Sequence, residues 1–291
     1  MEIVQTVCEM RRQADALRYQ GRKLVLVPTM GGLHQGHLAL VRAAGRHGDH
    51  VTVSIFVNPA QFAPGEDFAE YPRGLEHDCA LLAETGVVDT VFAPPEAQLY
   101  PRGQEHQVVW IQCEAYTRHL CGPRRPRFFP GVLTVVAKLF ACCRPHVAIF
   151  GLKDAQQYFM IRRLSEDLLL GVKIVGHATV RELDGLALSS RNVYLSVDER
   201  AQSVALYQSL EAAREAIEAG ATDAAEVEQV MKRVIGQAPL ARLDYAEVVS
   251  TRDLQRISTI RAGEEVLAAV AAFFDKARLI DNVVVRAPTQ I

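Results

Sequence analysis

One stretch decides the predicted fold: Leu24-Val-Leu-Val-Pro-Thr-Met-Gly-Gly-Leu-His-Gln-Gly-His37. Its first four residues are apolar, which predicts a strand buried on both faces, as in a parallel sheet. Gly31 and Gly32 permit a tight turn and let a ligand approach the backbone closely. A helix is expected from about Gly36, and the amides at a helix N-terminus attract anions. The stretch therefore predicts a phosphate site at the end of a parallel strand.

Two histidines stand at this helix start. His34 and His37 are three residues apart, so their imidazoles could both donate to one phosphate oxygen. Two other interpretations stay open on these residues alone. The segment could be a tight turn with two surface histidines. The spacing His-x-x-His could also bind a metal ion, although no clear third ligand accompanies it.

Further β-branched runs alternate with helix-like segments and predict the rest of the sheet. The predicted strands are Leu24–Val27, Val51–Val57, Val108–Ile111, Val147–Phe150 and Val172–Val175. Parallel strands joined by crossover helices form a doubly wound α/β domain, in which ligands bind at the carboxyl ends of the strands. We expect this domain to span residues 1–179.

The pattern changes after about Val180, where amphipathic helices precede short strands. The predicted helices are Asp198–Ala219 and Asp223–Ile235, and the predicted strands are Tyr245–Val249, Glu265–Ala272 and Ile280–Val285. Ser196 and Glu199 have the spacing of a capping box at the first helix, and its apolar residues Leu206, Leu210, Ala213 and Ile217 fall on one face. We expect a smaller α+β domain over residues 180–291 that covers the active site.

The composition excludes broad classes of partner. The 291 residues carry 32 Lys and Arg against 34 Asp and Glu, so no general basic field exists to hold nucleic acid or an anionic membrane. No apolar run approaches the roughly 18 residues that a spanning helix requires. The six cysteines form no Cys-x-x-Cys pair, and Met1-Glu2-Ile3 lacks the plan of a signal peptide. We expect a cytoplasmic protein with reduced thiols, in which any phosphate recognition is local.

Neutral amides follow the second of these predicted strands, in Phe56-Val-Asn-Pro-Ala-Gln-Phe62. Asn58 and Gln61 could orient a polar organic substrate without adding charge, although the prolines alone would suit an ordinary loop. Asp78 lies in the segment that follows. It could hold a magnesium ion through water, or it could cap or solvate a helix.

Gly151-Leu-Lys-Asp-Ala-Gln-Gln157 repeats the order of strand, loop and helix. Lys153 could neutralise phosphate, and Asp154 could accept a hydrogen bond from a ribose hydroxyl. Gln157 would lie one helical turn from Lys153 and face the same way. The alternative is a surface helix that Asp154 caps. Leu188-Ser-Ser-Arg-Asn192 adds two hydroxyls and a guanidinium, which could clamp phosphate but form a weak signal alone.

Taken together, these segments resemble the pantothenate synthetase family, the pantoate–β-alanine ligases of the nucleotidylyltransferase superfamily, whose adenylate site includes a His-x-Gly-His signature. The resemblance runs through five motifs between Pro28 and about Leu195. In chain order they are Pro28–His37, Phe56–Phe62, Tyr71–Arg73, Gly151–Gln157 and Thr179–Asn192. The alternatives for single motifs do not explain all five in this order.

The resemblance implies a Rossmann-like fold, a homodimer, and ATP-dependent condensation of (R)-pantoate with β-alanine. AMP and pyrophosphate would be released through an enzyme-bound pantoyl adenylate. The implied ATP-binding residues are Met30, Gly31, Gly32, Leu33, His34, Gln35, Gly36, His37, Gly151, Leu152, Lys153, Asp154, Val180, Leu188, Ser189, Ser190 and Arg191. The implied catalytic residues are His37, His34, Lys153 and Arg191. Pantoate would contact Gln61, Gln157 and Asn58, and Asp78 matches a position associated with Mg²⁺.

One motif departs from this family. Where most relatives read Arg-Pro-Gly-His-Phe-x-Gly-Val, this chain has Arg125-Pro-Arg-Phe-Phe-Pro-Gly-Val132. Phe128 replaces a histidine and Arg127 a glycine, which predicts a missing polar contact near pantoate or the phosphates. The alternative is that the helix Gly131–Cys142 mainly packs, and that a neighbouring arginine restores some charge.

Two other functions compete with the ligase. A superfamily relative could transfer a nucleotidyl group to a phosphorylated acceptor, but the neutral amides of Asn58, Gln61 and Gln157 suit a hydroxy acid better than a second phosphate. The chain could also be a silent nucleotide-binding or sensor protein, because fold alone does not establish function. The altered Arg125–Val132 segment keeps this possibility open.

Overall fold

The computed structural model describes residues 1–62 and 68–289, and the larger of its sheets has six parallel strands. These strands are β1 (Glu2–Val4), β2 (Leu24–Thr29), β3 (His50–Ile55), β4 (Thr90–Phe92), β5 (Val147–Gly151) and β6 (Lys173–His177). Their spatial order is β1-β4-β3-β2-β5-β6. From β2 the chain adds β3 and β4 on one side, and it then crosses to the other side of β2 to add β5 and β6. The predicted doubly wound, Rossmann-like α/β fold is confirmed.

Helices connect these strands and continue into the C-terminal part of the chain. They are α1 (Val7–Tyr19), α2 (Gln35–Ala44), α3 (Leu75–Glu84), α4 (Glu96–Leu99), α5 (Phe128–Cys143), α6 (Ala155–Asp167), α7 (Val197–Ser203), α8 (Ala205–Glu218) and α9 (Ala224–Ile235). The predicted helix Asp198–Ala219 is thus two helices, which meet at Val204. None of the helices in the described residues is both long enough and apolar enough to cross a membrane.

The strand β2, at the centre of the large sheet, begins with a run of buried apolar residues. Residues Leu24, Val25, Leu26 and Val27 of β2 are each at most 3% exposed, as the unbroken apolar run predicts. Val25 and Val27 belong to a buried cluster that also includes Leu38 of α2 and Leu82 of α3. This packing fixes the end of β2, where the glycine turn begins.

One predicted strand is absent from this sheet, and two of its strands were not predicted. Val108–Ile111 is not a strand, because Val108 and Val109 are 87% and 72% exposed and the segment pairs with no strand in the described chain. The strands β1 and β4 were not predicted. Each has only three residues, which is too short for a periodic pattern to stand out.

The second sheet is antiparallel and consists of β7 (Arg242–Ser250), β8 (Glu265–Phe274) and β9 (Ala277–Arg286) in that order. It shares a core with α8 and α9, to which the predicted helix face contributes Leu206, Leu210, Ala213 and Ile217. The predicted capping box at Ser196 and Glu199 is present at the start of α7. The smaller α+β fold is therefore confirmed.

The chain forms two compact units. The first contains Met1–Cys113, Arg125–Leu152 and Gln157–Ala178, and the second contains Glu114–Arg124, Lys153–Gln156 and Thr179–Ile291. The last segment of the second unit begins at Thr179. The division into domains of residues 1–179 and 180–291 stays a prediction.

The pairing of β2 with β5 begins at a histidine and predicts a pH dependence of stability. His146 Nδ1 accepts a hydrogen bond from the Leu24 amide at 3.0 Å. Burial, followed by the nearby charges of Arg18 and Lys23, lowers the pKa of His146 from its usual value. The unfolded chain therefore binds more protons than the folded one below about pH 6.5, so the free energy of unfolding falls as the pH falls.

We expect His146→Asn, which keeps an acceptor but does not titrate, to lose less stability than the wild type between pH 7 and pH 5. Urea unfolding at both values measures the difference. His106→Asn, at an exposed position, serves as the control and should follow the wild type. Equal losses in the wild type and in His146→Asn would contradict the prediction.

Candidate active site

A buried carboxylate from α3 holds the glycine turn that follows β2. Asp78 Oδ2 accepts from the Gly32 amide at 3.0 Å, and Oδ1 accepts from the Leu33 amide at 2.9 Å. Gly31 and Gly32 have φ values of +85° and +61°, in the left-handed region that favours glycine. A Cβ on Gly31 would lie 3.0 Å from Asp78 Oδ2. The conformation of the turn therefore depends on Asp78 as well as on its own glycines.

These contacts change two expectations. The amides of Gly32 and Leu33 donate to Asp78, so they are already used within the protein. Asp78 itself is only 2% exposed, and each of its oxygens accepts a backbone amide. Mg²⁺ usually keeps several bound waters in octahedral geometry, and a carboxylate this deeply buried leaves no space for them. In the described part of the chain, no cluster of three His, Cys, Asp or Glu could hold a metal. Asp78 therefore fits an anchor for the turn and does not fit a magnesium ligand.

The two histidines cap the start of α2 with their ring nitrogens. The Gly36 amide donates to His34 Nδ1 at 3.1 Å, and the His34 amide donates to His37 Nδ1 at 3.4 Å. A neutral imidazole that accepts at Nδ1 carries its hydrogen on Nε2, so these contacts assign an Nε2–H donor to each ring. The ring centroids lie 4.1 Å apart. The backbone thus places two imidazole donors side by side at the end of β2.

The neutral amides follow β3, where Asn58 caps a short 3₁₀ turn, Pro59–Gln61, and Gln61 ends it. Asn58 is fully buried, and its Nδ2 donates to Gln61 Oε1 at 3.0 Å and to the Gly131 carbonyl at 3.2 Å. A Cβ on Gly131 would lie 2.4 Å from the Ala60 carbonyl oxygen, so only glycine allows α5 to approach the turn this closely. The two predicted amides are in contact, and α5 supports them.

The altered segment at the start of α5 also reaches these amides. Arg125 Nη2 donates to the Gln61 carbonyl at 3.2 Å, and the Arg125 guanidinium carbon lies 3.9 Å from the centre of the Phe128 ring. Phe128 therefore supports a cation–π contact with an arginine that holds the amide turn. This arrangement supports the interpretation that a neighbouring arginine restores some charge near the replaced histidine.

Sheet topology brings the predicted residues of the first unit to one edge. His34 follows β2, Asn58 follows β3, and Gly151 ends β5, and these three strands are neighbours with parallel direction. The strand order reverses between β2 and β5, which is where doubly wound sheets bind ligands. Further predicted residues of this unit are Met30, Gln35, Leu152 and Gln157. Gln157 is partly exposed in the first turn of α6.

The second unit contains the other predicted residues, including Lys153. The Lys153 carbonyl accepts from Asn282 Nδ2 at 2.7 Å. Beside Asn282 on β9, the buried Asp281 receives two hydrogen bonds from Arg181, at 2.6 and 3.0 Å. Burial raises the pKa of Asp281, while Arg181 opposes that shift. β9 therefore fixes the backbone at Lys153 through a buried polar network.

The Leu188–Asn192 loop in the second unit is also internally braced. The Leu188 amide donates to the Val180 carbonyl at 2.9 Å, and the Arg191 amide donates to Ser189 Oγ at 3.3 Å. Ser190 begins a 3₁₀ turn that contains Arg191. Asp154 is exposed. These hydrogen bonds all lie within the protein. The phosphate clamp at Ser189–Arg191 and the ribose contact at Asp154 therefore stay predictions.

In each unit, some residues that support the predicted ones were not themselves predicted from the sequence. Tyr100 contacts Asn58, and Arg181, Asp281 and Asn282 support the backbone at Lys153. A signal existed for Asp281, since a charged residue within an apolar strand must find a partner when it is buried. Tyr100 gave no such signal, because a tyrosine suits any partly buried position.

Comparisons with known proteins identify the family of this chain. Residues 2–284 match the family described as pantoate-beta-alanine ligase. A pantothenate synthetase from Salinibacter ruber is 52% identical, and the match covers 99% of each chain. The crystal structure of pantothenate synthetase from Thermus thermophilus is similar with a TM-score of 0.88 and 44% identity, over 97% of this chain and 99% of that one. The chain belongs to the pantoate–β-alanine ligase family.

A further solved member of the family carries ligands. The pantoate-beta-alanine ligase from Francisella tularensis, described as complexed with beta-gamma ATP and beta-alanine, has a TM-score of 0.77 and 32% identity, over 98% of this chain and 97% of that one. The resemblance drawn from the five motifs is thereby confirmed. The chain is an enzyme, an ATP-dependent ligase of pantoate and β-alanine, which decides against the nucleotidyl-transferring and the silent alternatives.

The anchoring of the glycine turn predicts the effect of Asp78→Asn. The amide keeps one acceptor but turns an NH₂ group toward a backbone amide that donates. We expect a loss of about 1 to 3 kcal/mol in the free energy of unfolding, the usual cost of a buried group left without its partner. Urea unfolding measures this loss.

Glu76→Gln, at an exposed position of the same helix, is the matched control and should leave the stability within about 0.5 kcal/mol. Magnesium titration of both variants adds a second readout. A stable Asp78→Asn protein whose only defect is a weaker response to magnesium would instead support the metal role.

Proposed function

We propose that the ligase works in two steps at the carboxyl edge of the large sheet. In the first step a carboxylate oxygen of (R)-pantoate attacks the α-phosphorus of ATP, and the bond to pyrophosphate breaks. In the second the amine of β-alanine, having lost a proton, attacks the acyl carbon of the pantoyl adenylate, and AMP leaves. The observation that carries this proposal is the placement of an imidazole pair and a neutral amide pair after neighbouring strands.

The imidazole pair suits the first step. Negative charge grows on the phosphate oxygens as pyrophosphate separates, and fixed N–H donors stabilise such charge without reorganising. His34 and His37 are held by backbone amides at Nδ1, which makes Nε2–H the donor proposed to face ATP. The proposed mechanism needs no protein nucleophile, because it relies on positioning and electrostatics.

The neutral amides suit pantoate. Gln61 and Gln157 would donate to its hydroxyl and carboxylate oxygens, with Asn58 as a member of the same polar group. A cation at these positions would bind the carboxylate more tightly in the ground state, which does not by itself accelerate the chemical step. Amides orient the substrate while leaving its attacking oxygen reactive.

The remaining predicted residues are assigned to ATP. Lys153 and Arg191 would neutralise the phosphates, with Ser189 and Ser190 as hydroxyl donors. Gly151 and Asp154 would hold the ribose, and Val180 the adenine through its backbone. The other predicted contacts to ATP are Met30, Gly31, Gly32, Leu33, Gln35, Gly36, Leu152 and Leu188. The support for these assignments is their match to the family motifs.

Other properties of the enzyme are proposed from the family and the composition. Magnesium enters bound to the phosphates of ATP as part of the substrate, a mode that does not require a protein cage. The enzyme is a cytoplasmic homodimer. The balance of 32 cationic against 34 anionic residues gives no support to a nucleic-acid partner.

The test of the reaction uses purified protein with ATP, Mg²⁺, pantoate and β-alanine. We expect AMP and pyrophosphate to form only when both organic substrates are present. With ATP, Mg²⁺ and pantoate but without β-alanine, labelled pyrophosphate should exchange into ATP, because formation of the adenylate is reversible. Transfer of a nucleotidyl group to a phosphorylated acceptor, or ATP binding without turnover, would contradict the proposal.

A pair of substitutions at His37 separates its two proposed contacts. His37→Asn keeps an acceptor near the position of Nδ1 but removes the Nε2 donor, so the cap of α2 should survive. We expect kcat to fall roughly 100- to 1,000-fold, as removal of one preorganised donor does in other enzymes. His37→Gln, which places an amide nitrogen near the position of Nε2, should retain more activity than His37→Asn.

His77→Asn, on the exposed side of α3, is the control and should keep wild-type kcat. Thermal unfolding of each variant checks that the fold is retained. If His37→Asn retained near-normal turnover, His37 would have no role as a donor.

A further inference from the structure

A chain of three polar side chains lies inside the first unit. The Tyr100 hydroxyl donates to Asn58 Oδ1 at 2.8 Å, and Asn58 Nδ2 donates to Gln61 Oε1 at 3.0 Å. Tyr100 and Asn58 are 2% and 0% exposed, and Gln61 is 8% exposed. Hydrogen bonds at this depth have well-defined directions, because no bulk water competes for their atoms. This series of hydrogen bonds therefore runs from Tyr100 in the core to Gln61.

Backbone atoms decide which end of the Asn58 amide is the oxygen, and the Tyr100 hydroxyl is a second donor that holds this oxygen in place. Oδ1 accepts from the Ala60 amide at 3.3 Å, and Nδ2 donates to the Gly131 carbonyl at 3.2 Å. Exchanging the two atoms would set a donor against the Ala60 amide and an acceptor against the Gly131 carbonyl. Because a backbone amide only donates and a carbonyl only accepts, this exchange is excluded. All four hydrogen-bonding positions of the Asn58 amide are then used within the protein.

The fixed Asn58 amide determines how Gln61 is oriented. Asn58 Nδ2 needs an acceptor, so the atom of Gln61 that faces it must be Oε1. Nε2 of Gln61 is then turned away, and it has no acceptor among the residues the structure describes. Gln61 consequently presents an uncharged NH₂ donor, which complements a carboxylate or hydroxyl oxygen.

Tyr100 keeps its hydrogen throughout the ordinary pH range. Burial raises its pKa to about 12, although the hydrogen bond with Asn58 opposes that shift. The hydroxyl must donate to Asn58, because Oδ1 can only accept. Lys138 Nζ lies 3.7 Å from the centre of the Tyr100 ring and donates to the Leu99 carbonyl at 2.7 Å, which holds the ring in place.

We propose that Tyr100 is a positioning residue for pantoate, which acts through Asn58 to hold Gln61 with its NH₂ group toward the substrate. Asn58 then supports Gln61 and does not itself touch pantoate. This inference rests on the proposed role of Gln61 as a contact of pantoate. In this proposal the preference for a substrate oxygen that accepts a hydrogen bond depends on Tyr100, a residue that no sequence motif indicated.

Steady-state kinetics of Tyr100→Phe test the proposal, because phenylalanine keeps the ring and removes only the hydroxyl. We expect the KM for pantoate to rise about 3- to 10-fold, the equivalent of one hydrogen bond, with the KM for ATP unchanged within about twofold. Tyr116→Phe is the matched control. It removes another buried hydroxyl, which donates to the Arg252 carbonyl in the second unit, and should leave both constants unchanged.

A double-mutant cycle separates positioning from a general loss of structure. In a Gln61→Ala background, Tyr100→Phe should change the KM for pantoate by less than about twofold, because its effect passes through Gln61. An equal effect in both backgrounds would overturn the proposal. So would a wild-type KM for pantoate in Tyr100→Phe. Absence of pantoate-dependent turnover in the wild type would instead contradict the proposed function.

A measurement on the wild type covers the case in which Tyr100→Phe fails to fold. In a ¹⁵N-labelled sample, added pantoate should shift the Gln61 side-chain NH₂ signals more than those of Asn58. Gln61→Met and Asn58→Ser identify the two pairs of signals. A larger shift at Asn58 than at Gln61 would place Asn58 against the substrate and overturn the proposal.

Discussion

The hydrogen bonds from the glycine turn to Asp78 are the constraint on which the first unit depends. Two successive glycines with positive φ would leave a flexible turn, because glycine loses more conformational freedom on folding than any other residue. The carboxylate of Asp78 offsets this cost by accepting two backbone amides at once. Once the turn is fixed, the start of α2 is fixed, and so are the rings of His34 and His37. An anion supplied by the protein itself thus organises a site proposed to bind a triphosphate.

The fold was largely predictable because the strands at its centre carry local signals. Strands buried on both faces often read as unbroken apolar runs, and β2 and β5 begin with such runs. The buried strand β3 instead alternates valines with Thr52 and Ser54, and its β-branched residues were its signal. The helix face of α8 follows its own period and was predicted residue by residue. Val108–Ile111 shows where composition fails, since β-branched residues form a strand only where a neighbouring strand accepts their hydrogen bonds. The short strands β1 and β4 depend on pairing that no local pattern records.

The site was predictable as a set of segments and less so as a set of contacts. Sequence order places Asn58 and Gln61 after β3, but their mutual hydrogen bond depends on α5, which begins about 70 residues later and approaches through Gly131. Asp78 had two open interpretations, a magnesium ligand or a helix cap, and neither included the anchor of the glycine turn that its burial and its two amide donors reveal. Tyr100 could not be found at all, because its role comes from the atom that its hydroxyl meets. Contacts between distant segments are the part of a site that spacing does not encode.

One device recurs at the proposed substrate contacts of the first unit. In His34, His37 and Gln61 an inward-facing atom accepts a hydrogen bond from the protein, which makes the other polar atom of that side chain a donor. These donors are neutral in the assigned states, so burying them costs less than burying cations, whose desolvation can exceed the attraction they gain. They also carry no net charge, which would attract a carboxylate or a triphosphate as strongly in the ground state as in the transition state. Binding energy can then be concentrated on the charge that develops during transfer, which is the condition for a faster chemical step.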